Sequence, residues 1–169
     1  PETEISCLVS LSDTGRKMSD VFPHLRGFCD DVIVSPDDPK NKEACDVVFF
    51  STPDGVGMVT AEEEMARGAK VIDYSGDFRF GSVERYAEYA NFIGLDPVHK
   101  APSLLNETVY GLPELHDITD MQTIVGNPGC FAVSCILGLA PAVDAGIIDP
   151  MSIICDCKTG VSGAGKKPN

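Results

Sequence analysis

Short apolar runs alternate with helical or irregular segments along this chain. The runs are rich in Val, Ile and Phe and nearly continuous, as in strands that are buried on both faces of a sheet. They lack the strict alternation of apolar and polar residues that is typical of a half-exposed strand. The pattern predicts strands at residues 5–9, 32–34, 46–51, 70–73, 122–125 and 152–155.

A helix is predicted over residues 56–68, between two of these strands. Its acidic run at 62–64 indicates a solvated face, and Gly68 indicates a C-terminal cap. Strand, helix and strand at this spacing form a βαβ unit, and repeated units imply a parallel sheet with helices on both faces. The fold class is therefore predicted to be α/β. The residues expected on the apolar face of this helix are Val59, Met65 and Ala66.

Residues 75–115 differ from the rest of the chain. They are rich in Tyr, Phe and Pro, and only residues 82–90 show a short helical pattern. We interpret this stretch as a long excursion from the sheet. Loops of this length inside a compact domain are usually functional.

Composition and charge exclude several classes of protein. The chain has 169 residues and is 43% hydrophobic, so it is neither disordered nor a membrane protein, and its length fits one domain or one domain with part of another. Its 13 Lys and Arg against 26 Asp and Glu give a net charge of −13, which argues against nucleic-acid partners and against polybasic membrane contacts. No apolar run approaches the roughly 20 residues of a membrane span, and no signal peptide opens the chain. Pro1 stands where a start methionine is expected, which indicates processing or a piece of a longer protein.

The seven cysteines form no regular framework and include no Cys-x-x-Cys pair. Several lie in apolar runs, where a free cysteine behaves as a small hydrophobic residue, and a reducing cytoplasmic compartment fits this usage. Cys155 and Cys157 alternate on a predicted strand and therefore face one side of it. No further His or Cys follows at the spacing of a metal site, so we expect plain strand residues and no metal there.

The sharpest local feature is the sequence VGNPGCF at residues 125–131. A strand is predicted to end at Gly126, a tight turn to follow, and Cys130 to begin an apolar helix that stops near Pro141. A helix N-terminus favours a thiolate through its dipole and its unpaired N–H groups, which can also receive an oxyanion. Gly129 allows a substrate to approach the backbone closely. Cys130 is thus a candidate nucleophile, and a structural helix residue is the alternative.

Three further segments are candidates for ligand contacts. A glycine-rich stretch, 158–167, follows a predicted strand, but its pattern matches neither of the two best-known phosphate-binding motifs. The segments 51–55 and 74–79 lie just beyond strand carboxyl ends, where open α/β sheets bind their ligands. Ordinary turn chemistry is the alternative for the two strand-end segments, and it is the favoured interpretation of the glycine-rich stretch taken as a lone motif.

The histidines and one aspartate have structural interpretations. His24, His99 and His116 lack a recognisable catalytic setting, so we interpret each as a surface or structural residue. Asp73 ends a predicted strand, and we expect its carboxylate to cap the turn that follows.

Taken together, several segments resemble the N-acetyl-gamma-glutamyl-phosphate reductase family, whose members are NADP-dependent enzymes of arginine biosynthesis. They occur in the order of the family and cover nearly the whole chain. The combination of VYGLPELH, GNPGC and SGAG is more specific than any one motif. The matching segments are SDVFPHLRG (19–27), DVVFFSTPDGVG (46–57), VIDYSGDFR (71–79), VYGLPELH (109–116), VGNPGCFA (125–132) and KTGVSGAGKKP (158–168).

The resemblance implies roles for individual residues. Cys130 would be the nucleophile that attacks a small acyl-phosphate substrate and forms a thioester. The resemblance also implies NADP as cofactor, no metal, a cytoplasmic location and a homo-oligomer. The cofactor-binding residues that it implies are Thr52, Pro53, Ser75, Gly76, Ser162, Gly163 and Gly165, and the substrate-binding residues are Asn127, Gly129 and Arg79.

The chain also departs from the family pattern. The family opens with a glycine-rich phosphate turn and carries an acid/base histidine in a region beyond the SGAG loop, and this sequence shows neither. Val133 and Ser134 stand where the family commonly shows Thr and a small residue. We therefore expect a Rossmann-like doubly wound parallel sheet that lacks its first βα unit over 1–126, and the start of a second α/β catalytic domain over 127–169. The 169 residues alone are expected to be inactive.

Three alternatives remain open at the level of sequence. Aspartate-semialdehyde dehydrogenases also place a cysteine at a strand-to-helix turn, but they usually carry Asn where this chain has Gly129. A lysine-pathway acyl-phosphate reductase would show nearly the same motifs. The third alternative is a Rossmann-like module that binds a ligand without turnover.

Overall fold

A four-stranded parallel sheet forms the centre of the fold. The computed structural model describes residues 3–119 and 121–164, without the side chains of residues 162 and 164. The strands are β1 (Val47–Phe50), β2 (Lys70–Asp73), β3 (Thr108–Tyr110) and β4 (Ile124–Gly126). They lie in the order β1-β2-β4-β3, and all neighbours are parallel. The α/β fold class is therefore confirmed.

Five α-helices and four 3₁₀ segments connect and flank the strands. The helices are α1 (Met18–Val21), α2 (Gly57–Ala66), α3 (Val83–Ile93), α4 (Cys130–Asp144) and α5 (Val161–Ala164) among the described residues. The 3₁₀ segments are Pro23–Leu25, Pro39–Lys42, Pro102–Glu107 and Pro150–Ser152.

The βαβ unit predicted from the sequence is present as β1, α2 and β2. Val48 pairs with Val71 and Phe50 with Asp73 in parallel register, and Gly68 adopts the left-handed φ of 94° that a C-terminal cap uses. Of the three residues predicted for the apolar face of α2, Met65 packs against the core as expected, whereas Val59 and Ala66 are exposed, so the prediction was wrong for those two. The residues that pack into the core are Met58, Ala61 and Met65, at the spacing of three and four that defines one face of a helix.

The core lies on one face of the sheet. Val71 and Ile124 are fully buried there, together with residues of α2 and α3, including Tyr86 and Ala90. On the opposite face, none of Phe49, Ile72 and Val125 is buried. Helices α2 and α3 therefore pack on the same side of the sheet. The repeated βαβ pattern predicts one helix on each side instead.

Some predicted elements differ in the structure. Residues 5–9 and 32–34 form isolated bridges rather than strands: Val9 pairs with Val34 in parallel, and Val32 pairs with Lys17 antiparallel. Residues 153–160 are irregular rather than a strand. A strand needs a partner to satisfy its backbone groups, and no described segment pairs with residues 152–155. Strand β3 was missed, because it is short and lies inside the stretch that we interpreted as an excursion. Helix α4 continues three residues beyond Pro141, since a proline removes one helical hydrogen bond without necessarily ending the helix.

Candidate active site

The candidate site lies at the carboxyl edge of the sheet. Because all four strands are parallel, the loops that follow them emerge at the same edge. Backbone hydrogen bonds hold these loops in register: the Tyr74 N–H donates to the Phe50 carbonyl at 2.9 Å, and the Asn127 N–H donates to the Asp73 carbonyl at 2.7 Å. This edge brings together the loops of eight predicted site residues, namely Thr52, Pro53, Ser75, Gly76, Arg79, Asn127, Gly129 and Cys130.

Two aspartates cross-link the loops after β1 and β2. The Asp77 carboxylate, fully buried, accepts the N–H of Gly55 at 2.7 Å and that of Met58 at 3.1 Å. In the opposite direction, the Asp54 carboxylate accepts the N–H of Gly76. Each loop therefore supplies a carboxylate to the backbone of the other, and such charge-assisted bonds are among the stronger hydrogen bonds in proteins.

Tyr89 of α3 extends this cross-link. Its hydroxyl donates to Asp54 Oδ1 at 3.1 Å, and burial, followed by the charge of Asp54, raises the pKa of that hydroxyl. The ring also explains the glycine at position 76, because a Cβ there would lie only 2.2 Å from Tyr89 Cε1. Gly76 thus allows the loop after β2 to pass directly over the ring.

Asp73 caps the turn after β2, as the sequence predicted. Its carboxylate accepts the Ser75 N–H at 3.2 Å, and the Ser75 hydroxyl lies 2.9 and 2.8 Å from its two oxygens. Burial raises the pKa of Asp73, while the hydrogen bonds from Ser75 act in the opposite direction. The Ser75 hydroxyl also accepts the Asp77 N–H at 3.1 Å. Ser75 is buried and bonded within the protein, so it shapes the loop.

His99 contacts the backbone of the loop after β2. It is 5% exposed, its Nδ1 accepts the Ala101 N–H at 3.1 Å, and its Nε2 lies 2.8 Å from the Asp77 carbonyl oxygen. Since Nδ1 is an acceptor, Nε2 carries the proton and donates to that carbonyl. The structural interpretation of His99 is confirmed, and His24 and His116 are exposed.

Arg79 connects the loop after β2 to the turn before Cys130. Its Nε donates to the Asn127 carbonyl at 2.7 Å, and its Nη2 donates to the Tyr74 carbonyl at 2.6 Å. The third nitrogen, Nη1, lies 3.7 Å from the position that a Cβ on Gly129 would take. The guanidinium is thus held beside the residue that immediately precedes Cys130.

Cys130 is the first residue of α4 and is exposed. The Val133 N–H closes the first helical turn on the Gly129 carbonyl at 2.9 Å, so the N–H groups before it have no acceptor within the helix. Cys130 therefore lies at the positive end of a 15-residue helix, beside backbone N–H groups of its first turn, and the Arg79 guanidinium lies beside the preceding residue, Gly129. This arrangement can present a nucleophile and receive negative charge at the same place.

Thr52 lies in the loop after β1, at the same edge of the sheet. Its Oγ1 is buried and has no hydrogen-bond partner among the described residues. An unpaired buried hydroxyl costs free energy unless a ligand or water satisfies it. The hydroxyl therefore fits a role in binding a polar group of a cofactor.

The glycine-rich loop is the part of the predicted site that stays apart. Gly163 is exposed, and its N–H donates to the Gly160 carbonyl at 3.1 Å, within the loop itself. Ser162 belongs to α5, its side chain lies outside the description, and Gly165 lies outside the described residues. The described residues of this loop form no hydrogen bond to the edge that carries Cys130.

Sequence reasoning missed the roles of Asp54, Asp77 and Tyr89. The two aspartates lie in segments that were recognised as strand-end turns, but their partners are 22 residues away in the sequence. The signal available was the pairing of two Asp-containing turns after adjacent parallel strands, because such turns must meet at one edge.

Two properties of the described residues bear on other kinds of site. Over residues 3–119 and 121–164, no group of three or more His, Cys, Asp or Glu side chains has the arrangement that a metal ion requires. Within the same ranges, no helix is both long and apolar enough to cross a membrane.

Comparison with known proteins identifies the domain families that the chain matches. Residues 1–121 match the semialdehyde dehydrogenase NAD-binding domain, and residues 130–169 match the semialdehyde dehydrogenase dimerisation domain. The chain is 46% identical over 168 residues to the N-acetyl-gamma-glutamyl-phosphate reductase of Herminiimonas arsenicoxydans, covering 99% of this chain and 47% of that protein. The reductases of Janthinobacterium sp. (strain Marseille) and Pseudomonas putida (strain W619) are 44% and 43% identical, with 47% of each covered.

The chain thus spans about half the length of the curated relatives that it matches. The similarity to N-acetyl-gamma-glutamyl-phosphate reductases that the motifs predicted is confirmed. A domain of this family matches more than two thirds of the residues, and the parallel sheet and its strand-end loops are of the expected kind. The chain therefore belongs to the semialdehyde dehydrogenase family.

Proposed function

We propose that this chain is part of an enzyme that reduces N-acetyl-gamma-glutamyl phosphate to N-acetylglutamate semialdehyde and releases phosphate. The names of its relatives support the substrate. The observation that carries the proposal is the position of Cys130, which is exposed at the start of α4, with Arg79 fixed beside the preceding residue, Gly129.

The chemistry follows from these two residues. The Cys130 thiolate attacks the acyl carbon, the carbon–oxygen bond to phosphate breaks, and an acyl thioester forms on the sulfur. Free N–H groups of the first turn of α4 stabilise the oxyanion that develops during attack. The Nη1 side of Arg79 faces the same place and provides positive charge for the phosphate. NADPH, when bound, supplies the hydride that reduces the thioester.

We propose that the cofactor binds at the loops after β1 and β2. The unpaired hydroxyl of Thr52 would bind it directly, and Pro53 would line the same crevice. Ser75 and Gly76 would hold the second loop in shape, since their polar groups bond within the protein. The resemblance to the reductase family is the reason to propose NADP rather than NAD. From the same resemblance we propose that Ser162, Gly163 and Gly165 contribute to the cofactor site.

The organisation of the complete protein forms part of the proposal. We assign residues 1–126 to part of a Rossmann-like NADP-binding domain, and residues 127–169 to the start of the catalytic domain. The match of residues 130–169 to a dimerisation domain supports a homo-oligomer. We also propose a cytoplasmic location, which suits seven free cysteines. Because the relatives are about twice as long, the 169 residues alone should show little or no turnover.

Substitution of the nucleophile tests the proposal. In the full-length protein, Cys130→Ser should lower kcat for the phosphate-dependent oxidation of N-acetylglutamate semialdehyde by at least about 10³-fold, since a hydroxyl is far less acidic and less nucleophilic than a thiol. Cys29→Ser is the matched control, because Cys29 is far from Cys130 in the sequence and lies just after the Pro23–Leu25 segment. This substitution should leave kcat unchanged.

Three outcomes would contradict the proposal in different ways. Retained activity in the Cys130→Ser variant would remove Cys130 from the nucleophile role. A higher kcat/KM for aspartate semialdehyde or for the aminoadipate analogue would reassign the substrate while leaving the chemistry intact. Binding of NADP without turnover of any of these substrates in the unmodified protein would indicate a non-catalytic module.

A further inference from the structure

Three of the seven cysteines meet around one sulfur atom. Cys135 lies on α4, and Cys155 and Cys157 lie on the irregular segment that follows the Pro150–Ser152 turn. Cys135 Sγ is 3.4 Å from Cys157 Sγ. Cys155 and Cys157 are exposed and Cys135 is half-buried, so the cluster is open to solvent. None of these thiols has a role in the proposed reaction.

The Cys135 thiol is at the centre of the hydrogen bonds in this cluster. Hydrogen bonding to Cys157 first, and to Cys155 second, raises the pKa of Cys135 to about 12. Cys135 therefore stays a thiol at neutral pH and faces sulfur acceptors. The cluster does not have the arrangement of a metal site among the described residues, which leaves chemistry between the sulfur atoms themselves.

The geometry suits a covalent bond between two of these sulfurs. A disulfide has an S–S separation of about 2.05 Å, so the two atoms at 3.4 Å need to approach by only about 1.4 Å. Residues 153–160 form neither helix nor strand, and Ile154 in this segment is 93% exposed. The segment can therefore move this small distance without breaking a ladder of backbone hydrogen bonds.

We propose that Cys135 and Cys157 form a reversible disulfide when the protein meets a peroxide, and that this pair is a redox modification site. The Cys157 thiolate attacks one peroxide oxygen, the O–O bond breaks, and the leaving hydroxide takes a proton to give water. The Cys135 sulfur then attacks the sulfenic sulfur of Cys157, the S–O bond breaks, and the departing hydroxide takes the Cys135 proton. Two thiols are oxidised, one hydrogen peroxide is reduced, and two waters form.

The disulfide would connect two parts of the chain that the proposed function uses. It joins α4, which begins with Cys130, to the chain that leads into the glycine-rich loop at 158–164. Cys155 is the third member of the cluster and the competing partner, because it also contacts Cys135. The site does not depend on which acyl phosphate the enzyme uses.

Mass spectrometry can identify the bonded pair directly. The reduced full-length protein is treated with a small molar excess of hydrogen peroxide, free thiols are blocked with N-ethylmaleimide, and the protein is digested without reduction. Trypsin is unsuitable, because all four cysteines after residue 129 lie in one Lys- and Arg-free stretch up to Lys158. Cleavage before Asp156 by endoproteinase Asp-N separates Cys155 from Cys157, and chymotryptic cleavage after Phe131 separates Cys130 from Cys135.

The expected product is a linked pair of peptides that contain Cys135 and Cys157 and that separates on treatment with dithiothreitol. Cys157→Ser should abolish it, whereas the control Cys29→Ser should retain it. Cys157 is exposed, so its replacement should not prevent folding, and circular dichroism of the variant checks this. A link from Cys135 to Cys155 or to Cys130 would overturn the assignment, as would separate labelling or separate oxidation of Cys135 and Cys157.

Discussion

The Arg79 guanidinium donates from Nε to the carbonyl of Asn127 at 2.7 Å, and this bond joins two loops that are 48 residues apart in the sequence. A second bond, from Nη2 to the Tyr74 carbonyl, fixes the plane of the guanidinium. The remaining nitrogen, Nη1, then faces the backbone of Gly129, next to Cys130. One side chain thus both holds the turn before the nucleophile and presents positive charge to its ligand.

Arg79→Lys tests this double role. A lysine has a single ammonium group, which cannot bond both carbonyls and still face the substrate. We expect kcat/KM for the acyl phosphate in the full-length enzyme to fall by about 10–100-fold, the range that corresponds to losing one or two charge-assisted hydrogen bonds. The matched control is Arg85→Lys on the exposed side of α3. Equal kcat/KM in both variants would show that Arg79 acts only as a general cation or not at all.

Thr52→Val tests the unpaired hydroxyl in the cofactor crevice. Because Oγ1 has no partner among the described residues, its removal should leave the free energy of unfolding unchanged or slightly raised. NADP binding should weaken by about fivefold, which corresponds to about 1 kcal/mol for one neutral hydrogen bond. Calorimetric titration of the full-length protein measures the Kd, and Thr60→Val on the exposed side of α2 is the control. Unchanged Kd in Thr52→Val would remove this residue from the cofactor site.

The parts of this fold that local sequence signals specify were predictable. Strand β1, helix α2 and strand β2 follow one another within 27 residues, and each carries its own apolar pattern and terminal glycine or turn. The strand-to-helix turn at Gly126–Cys130 was predicted for the same reason, since a strand, an Asn-Pro-Gly turn and an apolar helix are adjacent in the chain.

The remaining features depend on contacts between distant residues. The bonds from Gly55 to Asp77 and from Gly76 to Asp54 follow from the order of strands in the sheet, which no single segment encodes. Strand β3 has only three residues and forms because β4 offers a free edge. Residues 152–155 have a strand-like composition but no pairing partner among the described residues, so composition alone predicted the wrong structure there.

Gly126 is required because the loop after β2 crosses directly over it. A Cβ at this position would lie 2.1 Å from the Phe78 carbonyl oxygen and 2.9 Å from the Arg79 nitrogen, both of them backbone atoms. Gly126→Ala should therefore destabilise the protein by about 1–3 kcal/mol, and should lower activity because the segment that carries Arg79 must shift. Urea unfolding measures the change in the free energy of unfolding.

Gly138→Ala provides the matched comparison for this prediction. Gly138 lies inside α4, and a Cβ there would meet no atom within 4 Å. The substitution should stabilise the helix by up to about 1 kcal/mol, because alanine has the higher helix propensity. Equal effects of the two substitutions would show that crowding at Gly126 is not what excludes a side chain.

Because Asp73 is buried, the stability of the folded protein should fall as the pH rises through a defined window. Its carboxyl group is fully buried, and burial raises its pKa in the folded chain above the ordinary value of 3.8. Between the ordinary and the raised pKa, the folded chain holds a proton that the unfolded chain has released, so raising the pH through this window destabilises the fold. Asp73→Asn cannot ionise, and the wild type should lose stability relative to this variant as the pH rises from about 3.8, with no further loss above the raised pKa.

The control is Asp96→Asn: a hydrogen bond from Lys100 lowers the pKa of Asp96, so stability there should instead be lost as the pH falls. Urea unfolding of the three proteins from acid to neutral pH measures both slopes, and a wild type that gains stability over Asp73→Asn with rising pH would show that the Ser75 hydrogen bonds outweigh burial.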